Sequence, residues 1–160
     1  MDHLWTPWRY QYVQSAPAPE CIFCQKPAQN DDEQNYIVHR GASAFVLLNL
    51  FPYNTGHLMV APYAHVATLE EAEEATLAEM MRLTRRAETH LRAIYRPRGF
   101  NVGLNIGECA GAGVAGHLHV HVVPRWPGDT SFMTTVGETR IVPEDLATTY
   151  RKLSQAFGGS

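Results

Sequence analysis

The segment His117-Leu118-His119-Val120-His121-Val122-Val123 alternates imidazoles with aliphatic side chains. On an extended strand successive side chains point to opposite faces, so His117, His119 and His121 share one side. Leu118, Val120 and Val122 take the other, toward a core. Three imidazoles in a row contribute little as packing and repel one another once protonated. The pattern is therefore read as a functional site and not as a purification tag or surface metal trap. Directly upstream, residues 107–116 (GECAGAGVAG) form a Gly/Ala loop whose backbone N–H groups can close on an anionic oxygen. A neutral imidazole is a good nucleophile near pH 7, and beside a phosphate cradle it suits phosphoryl or nucleotidyl transfer.

A second candidate centre is Cys21-Ile22-Phe23-Cys24. The spacing fits two thiolates of a turn on one metal ion, or a redox dithiol. The pair follows an irregular-looking stretch, residues 15–20, whereas a redox motif normally joins a strand to a helix. Cys109, in the Gly/Ala loop, has no evident partner, and three cysteines do not make a disulfide framework.

The elements that must position these groups are legible in outline. Residues 36–40, 44–50, 57–62, 100–105 and 117–123 read as strands. A long helix is expected over 68–95, from apolar residues recurring from Leu69 to Ile94, with Thr68 as N-cap and Glu70, Glu71, Glu73 and Glu74 as its solvated start. A short last helix follows Pro143. This predicts an α+β fold, an antiparallel five-stranded sheet with one long helix and a short C-terminal one. Three regions are expected: an aromatic N-terminal arm over 1–20 (Trp5, Trp8, Tyr10, Tyr12), a domain over 21–126, and a C-terminal extension over 127–160. The 160 residues, 45% of them hydrophobic, suffice for one core, and a net charge of −3 argues against a general nucleic-acid binder. No run is long and apolar enough to span a membrane, and the first residues do not read as a signal peptide. No membrane partner and a cytoplasmic location are expected.

The HxHxHxx pattern at 117–123 resembles the signature of the histidine-triad (HIT) superfamily of nucleotide hydrolases and transferases. The likeness extends through Asn49, Gly56-His57, Pro62, His65 and the 105–107 loop. Leu4-Trp5-Thr6-Pro7, residues 49–54 and residues 117–126 look closest to the bacterial diadenosine-polyphosphate (AP-4-A) phosphorylase branch. The resemblance implies cleavage of dinucleoside polyphosphates by phosphorolysis or hydrolysis through a nucleotidyl-histidine intermediate. It implies His119 as nucleophile, His121 hydrogen-bonded to phosphate, and His57 completing the cluster. Leu48 and Asn49 would flank base and ribose, while Asn105, Gly107, Gly111 and Gly113 would line the phosphate path. Some members with a CxxC hold structural zinc, which here implies Cys21, Cys24, His65 and His117; otherwise the cysteines are reduced and packed and His117 serves the phosphate cluster. Gly113 stands where many members carry Gln or Ser, which leaves only backbone donation there. By analogy the chain forms a homodimer. Two other readings are a nucleoside phosphoramidate hydrolase and a zinc-stabilised nucleotide-binding protein with little turnover.

Overall fold

The computed structural model describes residues 21–130 and 143–159. The expected aromatic arm (1–20) and residues 131–142 of the expected extension lie outside the described residues. The chain enters through α1 (Ile22–Ala28) and α2 (Asp32–Asn35), then β1 (Ile37–Arg40), β2 (Ala44–Leu48) and β3 (Leu58–Pro62). Helix α3 (Glu74–Tyr95) leads to β4 (Gly99–Leu104), a 3-10 turn (Glu108–Ala110), β5 (Val120–Arg125) and α4 (Leu146–Gly158). The strands form one antiparallel sheet in the order β1-β2-β3-β5-β4. The α+β expectation is met. Among the described residues no helix is long and apolar enough to cross a membrane.

The alternation of side chains across the strands builds two cores. Val46, Leu48, Leu58, Val60, Val120 and Val122 face α3 and α4, meeting Met80, Leu83, Ala87, Leu91, Leu153 and Phe157. Phe45, Leu47, Met59 and Ala61 face the other way and pack with Phe23 of α1. The histidines belong to this second face.

Three expectations change. Helix α3 begins at Glu74, not near Thr68, because the Glu71 carboxylate accepts the N–H groups of Ala67 and Thr68 and closes a separate turn. Leu69 accordingly stays exposed. Strand β5 begins at Val120, not His117. Its ladder to β3 runs from Leu58↔Val122 to Val60↔Val120, and two residues farther along β3 stands Pro62, which has no N–H to donate. The facing survives beyond the ladder, since Leu118 still joins the helix-side core. Finally, the CxxC lies not in a turn but at the head of a helix, α1, with Cys21 as its N-cap residue.

The turn before β3 is clamped from the helix side. Gly56 has φ +77°, and a Cβ there would come within 2.8 Å of Leu91 Cδ2 and 3.3 Å of Tyr95 Cε2. Gly56→Ala combines a left-handed backbone with this crowding. It is expected to lower unfolding free energy by about 1–3 kcal/mol in urea titrations, and an unchanged midpoint would contradict it.

Candidate active site

Sheet register brings the histidines together. His57 immediately precedes β3 and His121 lies on β5; with Leu58 opposite Val122, the two imidazoles share a face diagonally. His57 Nε2 lies 2.9 Å from His121 Nδ1. His57 Nδ1 accepts the Tyr53 backbone N–H at 3.1 Å, with the Asn49 amide nitrogen at 3.4 Å. An Nδ1 that accepts leaves the proton of neutral His57 on Nε2, which then donates to His121 Nδ1. His121 must therefore carry its own proton on Nε2, a donor placed at the cleft that His121 lines.

His119 is oriented by the main chain. Its Nδ1 lies 2.7 Å from the His117 carbonyl oxygen, which can only accept, so the proton sits on Nδ1 and Nε2 keeps the lone pair. The ring is 4% exposed, packs 4.7 Å from the Phe23 ring and lies 4.8 Å from His121 between ring centres. Burial lowers its pKa, partly offset by the bond to the His117 carbonyl. Burial, and then the neighbouring His119, pushes His121 down to about 4. Both rings are thus neutral near pH 7, the state in which an imidazole can offer a lone pair from one nitrogen and a hydrogen bond from the other.

The same rule applied to His117 points its lone pair elsewhere. Nε2 donates to the Pro62 carbonyl at 2.9 Å, leaving Nδ1 as an acceptor 3.3 Å from Cys21 Sγ and 3.6 Å from Cys24 Sγ. His65 Nδ1 is 3.3 Å from Cys24 Sγ, and all four donor atoms lie within 4.8 Å of one another. Bonds of about 2.3 Å to sulfur and about 2.1 Å to nitrogen, set at tetrahedral angles, separate the donors by about 3.5 Å. The cluster therefore fits one tetrahedral ion, with the Pro62 carbonyl orienting a ligand from behind. Burial first, and then Cys21, raises the Cys24 thiol pKa, opposite to what an attacking redox thiolate needs.

A cleft of about 910 Å³ opens over this face. Leu48, Asn49, Asn105, Gly111, Gly113, His119 and His121 all line it, as the sequence reading expects of a nucleotide site. His57 does not. It is buried behind His121 and meets the cleft only through its hydrogen bond to that ring. Gly107 is also absent from the lining and caps the 3-10 turn at φ +83°. Asn49 Oδ1 accepts the Phe51 N–H, so part of its hydrogen-bonding capacity braces its own loop. Arg125, at the end of β5, is held by Asp129 through Nε at 2.6 Å and Nη2 at 2.9 Å. Cys109 is exposed. Sequence reasoning missed Phe23 against His119, Tyr53 over His57 and His121, and Lys26 in the cleft wall. The aromatic turn at 51–53 was the available signal for Tyr53; no local pattern marked Lys26.

The profile described as HIT domain matches residues 30–128. A Mycobacterium tuberculosis protein named AP-4-A phosphorylase is 44% identical over 163 aligned residues, covering 96% of this chain and 83% of that protein. A Schizosaccharomyces pombe protein named bis(5'-nucleosyl)-tetraphosphatase [asymmetrical] is 27% identical over 59% of this chain and 52% of its own length. Among solved structures, a zinc-bound histidine triad family protein from Mycobacterium smegmatis superposes with a TM-score of 0.71 at 27% identity, covering 88% of this chain and 94% of that one.

The low His121 pKa couples protonation to stability. An unfolded histidine titrates near 6.5 and folded His121 near about 4, so between these values the unfolded chain binds more protons. Unfolding free energy should fall as pH drops through this window, and His121 should contribute no slope above it. Melting temperatures followed by circular dichroism should fall less steeply from pH 6.5 to 4 in His121→Gln than in wild type. Equal slopes would remove His121 from the linkage.

Proposed function

This chain belongs to the HIT family, and from that premise we propose that it splits dinucleoside polyphosphates by phosphorolysis through a nucleotidyl-histidine intermediate. The observation that carries this reading is the pair of fixed tautomers, an Nε2 lone pair on His119 beside an Nε2–H on His121, at one end of a nucleotide-sized cleft. His119 Nε2 forms a bond to the α-phosphorus as the P–O bond to the polyphosphate breaks. The His119 proton stays on Nδ1, which keeps donating to the His117 carbonyl. The His121 Nε2–H donates to a phosphoryl oxygen as charge builds there, and His57 holds that ring in its donor tautomer. From diadenosine tetraphosphate the leaving group is ATP. An oxygen of inorganic phosphate then displaces the imidazole and releases ADP, or water releases AMP. The 44% relative named a phosphorylase supports phosphate as the acceptor.

In the same reading Cys21, Cys24, His65 and His117 hold one structural zinc ion. Bound there, zinc would crosslink three segments, α1, the loop after β3 and the segment before β5, through four ligands, a structural role apart from the bond changes. The four-donor geometry and the zinc-bound M. smegmatis relative support it. A cytosolic setting, where thiols stay reduced, suits this site. Strand β4 ends the sheet with exposed Val102, and two copies joined there as a homodimer would continue it.

Product analysis tests the reaction. With diadenosine tetraphosphate, ADP should appear only when inorganic phosphate is supplied; AMP with and without phosphate would mean water is the acceptor, and no product would favour a binding protein. His119→Ala should reduce turnover by at least about 10³-fold while nucleotide binding persists, and substantial activity would reject the nucleophile. Elemental analysis of untagged protein should find about one zinc per chain. Cys21→Ser with Cys24→Ser should abolish it and lower the melting temperature, whereas a metal-free wild type would reject the zinc assignment.

A further inference from the structure

Helix α1 runs from the metal cluster along one wall of the cleft. Cys21 touches His117, Phe23 packs against His119, and Lys26 follows three residues later, about 4.5 Å farther along the axis. Lys26 therefore lies toward the end of the cleft away from the histidines, on the wall it shares with Ile22 and Phe23. A nucleotide with its α-phosphate at His119 and its base laid along α1 would bring that base to this end. The surrounding lining is apolar: Ile22, Phe23, Leu47, Leu48 and Met59. Such walls hold a flat purine but give no means of telling adenine from guanine. Among the described residues lining the cleft, Lys26 is the one whose side chain is cationic at neutral pH. Its ammonium donates one hydrogen bond, to the Asn35 carbonyl at 3.2 Å, which leaves two of its three donors. Burial also lowers its pKa, as expected of a partly desolvated amine.

An ammonium can only donate. Guanine presents two adjacent acceptors, O6 and N7, on one edge, whereas adenine places an N6 amino donor beside N7. We propose that Lys26 is a specificity-determining residue that reads the O6/N7 edge of the base, so that the cleft prefers a guanine nucleoside to an adenine one. The inference rests on the nucleotide-cleavage reading and adds a base preference to it: among dinucleoside polyphosphates, those carrying guanosine would be taken in preference to diadenosine ones, which remain substrates. Asn35, by accepting one Lys26 donor, keeps the amine at the wall.

The test uses the full chain and two ligands, GMP and AMP, in isothermal titration calorimetry. Wild type should bind GMP about tenfold more tightly than AMP. Lys26→Met should erase that ratio chiefly by weakening GMP, while Lys26→Arg should keep it. In turnover, Lys26→Met should raise KM for diguanosine tetraphosphate far more than it lowers kcat, as expected for lost ground-state binding. A wild type that binds both equally, or AMP more tightly, overturns the proposal without any variant. An unchanged ratio in folded Lys26→Met also overturns it, and leaves the cleavage reading intact. Failure of wild type to bind either nucleotide overturns the cleavage reading, and this inference with it.

Discussion

Two backbone carbonyls govern the centre. The Pro62 oxygen accepts the Nε2–H of His117, and the His117 oxygen accepts the Nδ1–H of His119. Neighbouring imidazoles on one chain segment thereby present opposite nitrogens, one to a metal cluster and the other to a cleft. A carbonyl is well suited to this task, since it accepts at every accessible pH and its position is set by the fold. Side-chain acceptors would add their own titration and rotamer freedom. The third ring follows a longer route to the same end. The Tyr53 N–H fixes His57, and His57 fixes His121.

The sheet separates support from chemistry. Its helix-covered face buries aliphatic side chains almost continuously, and α3 presses the Gly56 turn that leads into His57. Its other face is half closed by Phe23, Phe45, Leu47 and Met59, and the remainder is the cleft. Burial on this second face also depresses the imidazole pKa values, so packing and protonation state share one cause.

What the sequence disclosed follows from which interactions are local. The facing of His117, His119 and His121 was legible because alternation is a property of extended backbone and holds even where the ladder stops. The start of β5 was not, because it depends on Pro62 in a strand some sixty residues earlier. Helix α1 escaped because it spans only Ile22–Ala28 with Pro27 inside, too short for a periodic pattern to show. The acidic run before α3 could cap either a helix or a turn, and the Glu71 side chain chose the turn. The cleft assembles from segments near 22–26, 47–53 and 105–121, so Lys26 and Phe23 have meaning only once these are folded together. The four candidate metal ligands came from resemblance, and the distances between their donor atoms now give that set a physical basis.

The bond from His119 to residue 117 reaches the main chain and not the side chain. Whatever amino acid occupies position 117, its carbonyl remains available to hold His119 in the same tautomer. On the proposed reading, loss of a metal crosslink would loosen the scaffold yet leave the His119 Nε2 lone pair presented as before. The two centres are mechanically joined but chemically separable. Exchange of Cys21, Cys24 and His117 for ordinary packing residues would thus remove the candidate metal cluster without changing which nitrogen His119 turns to the cleft.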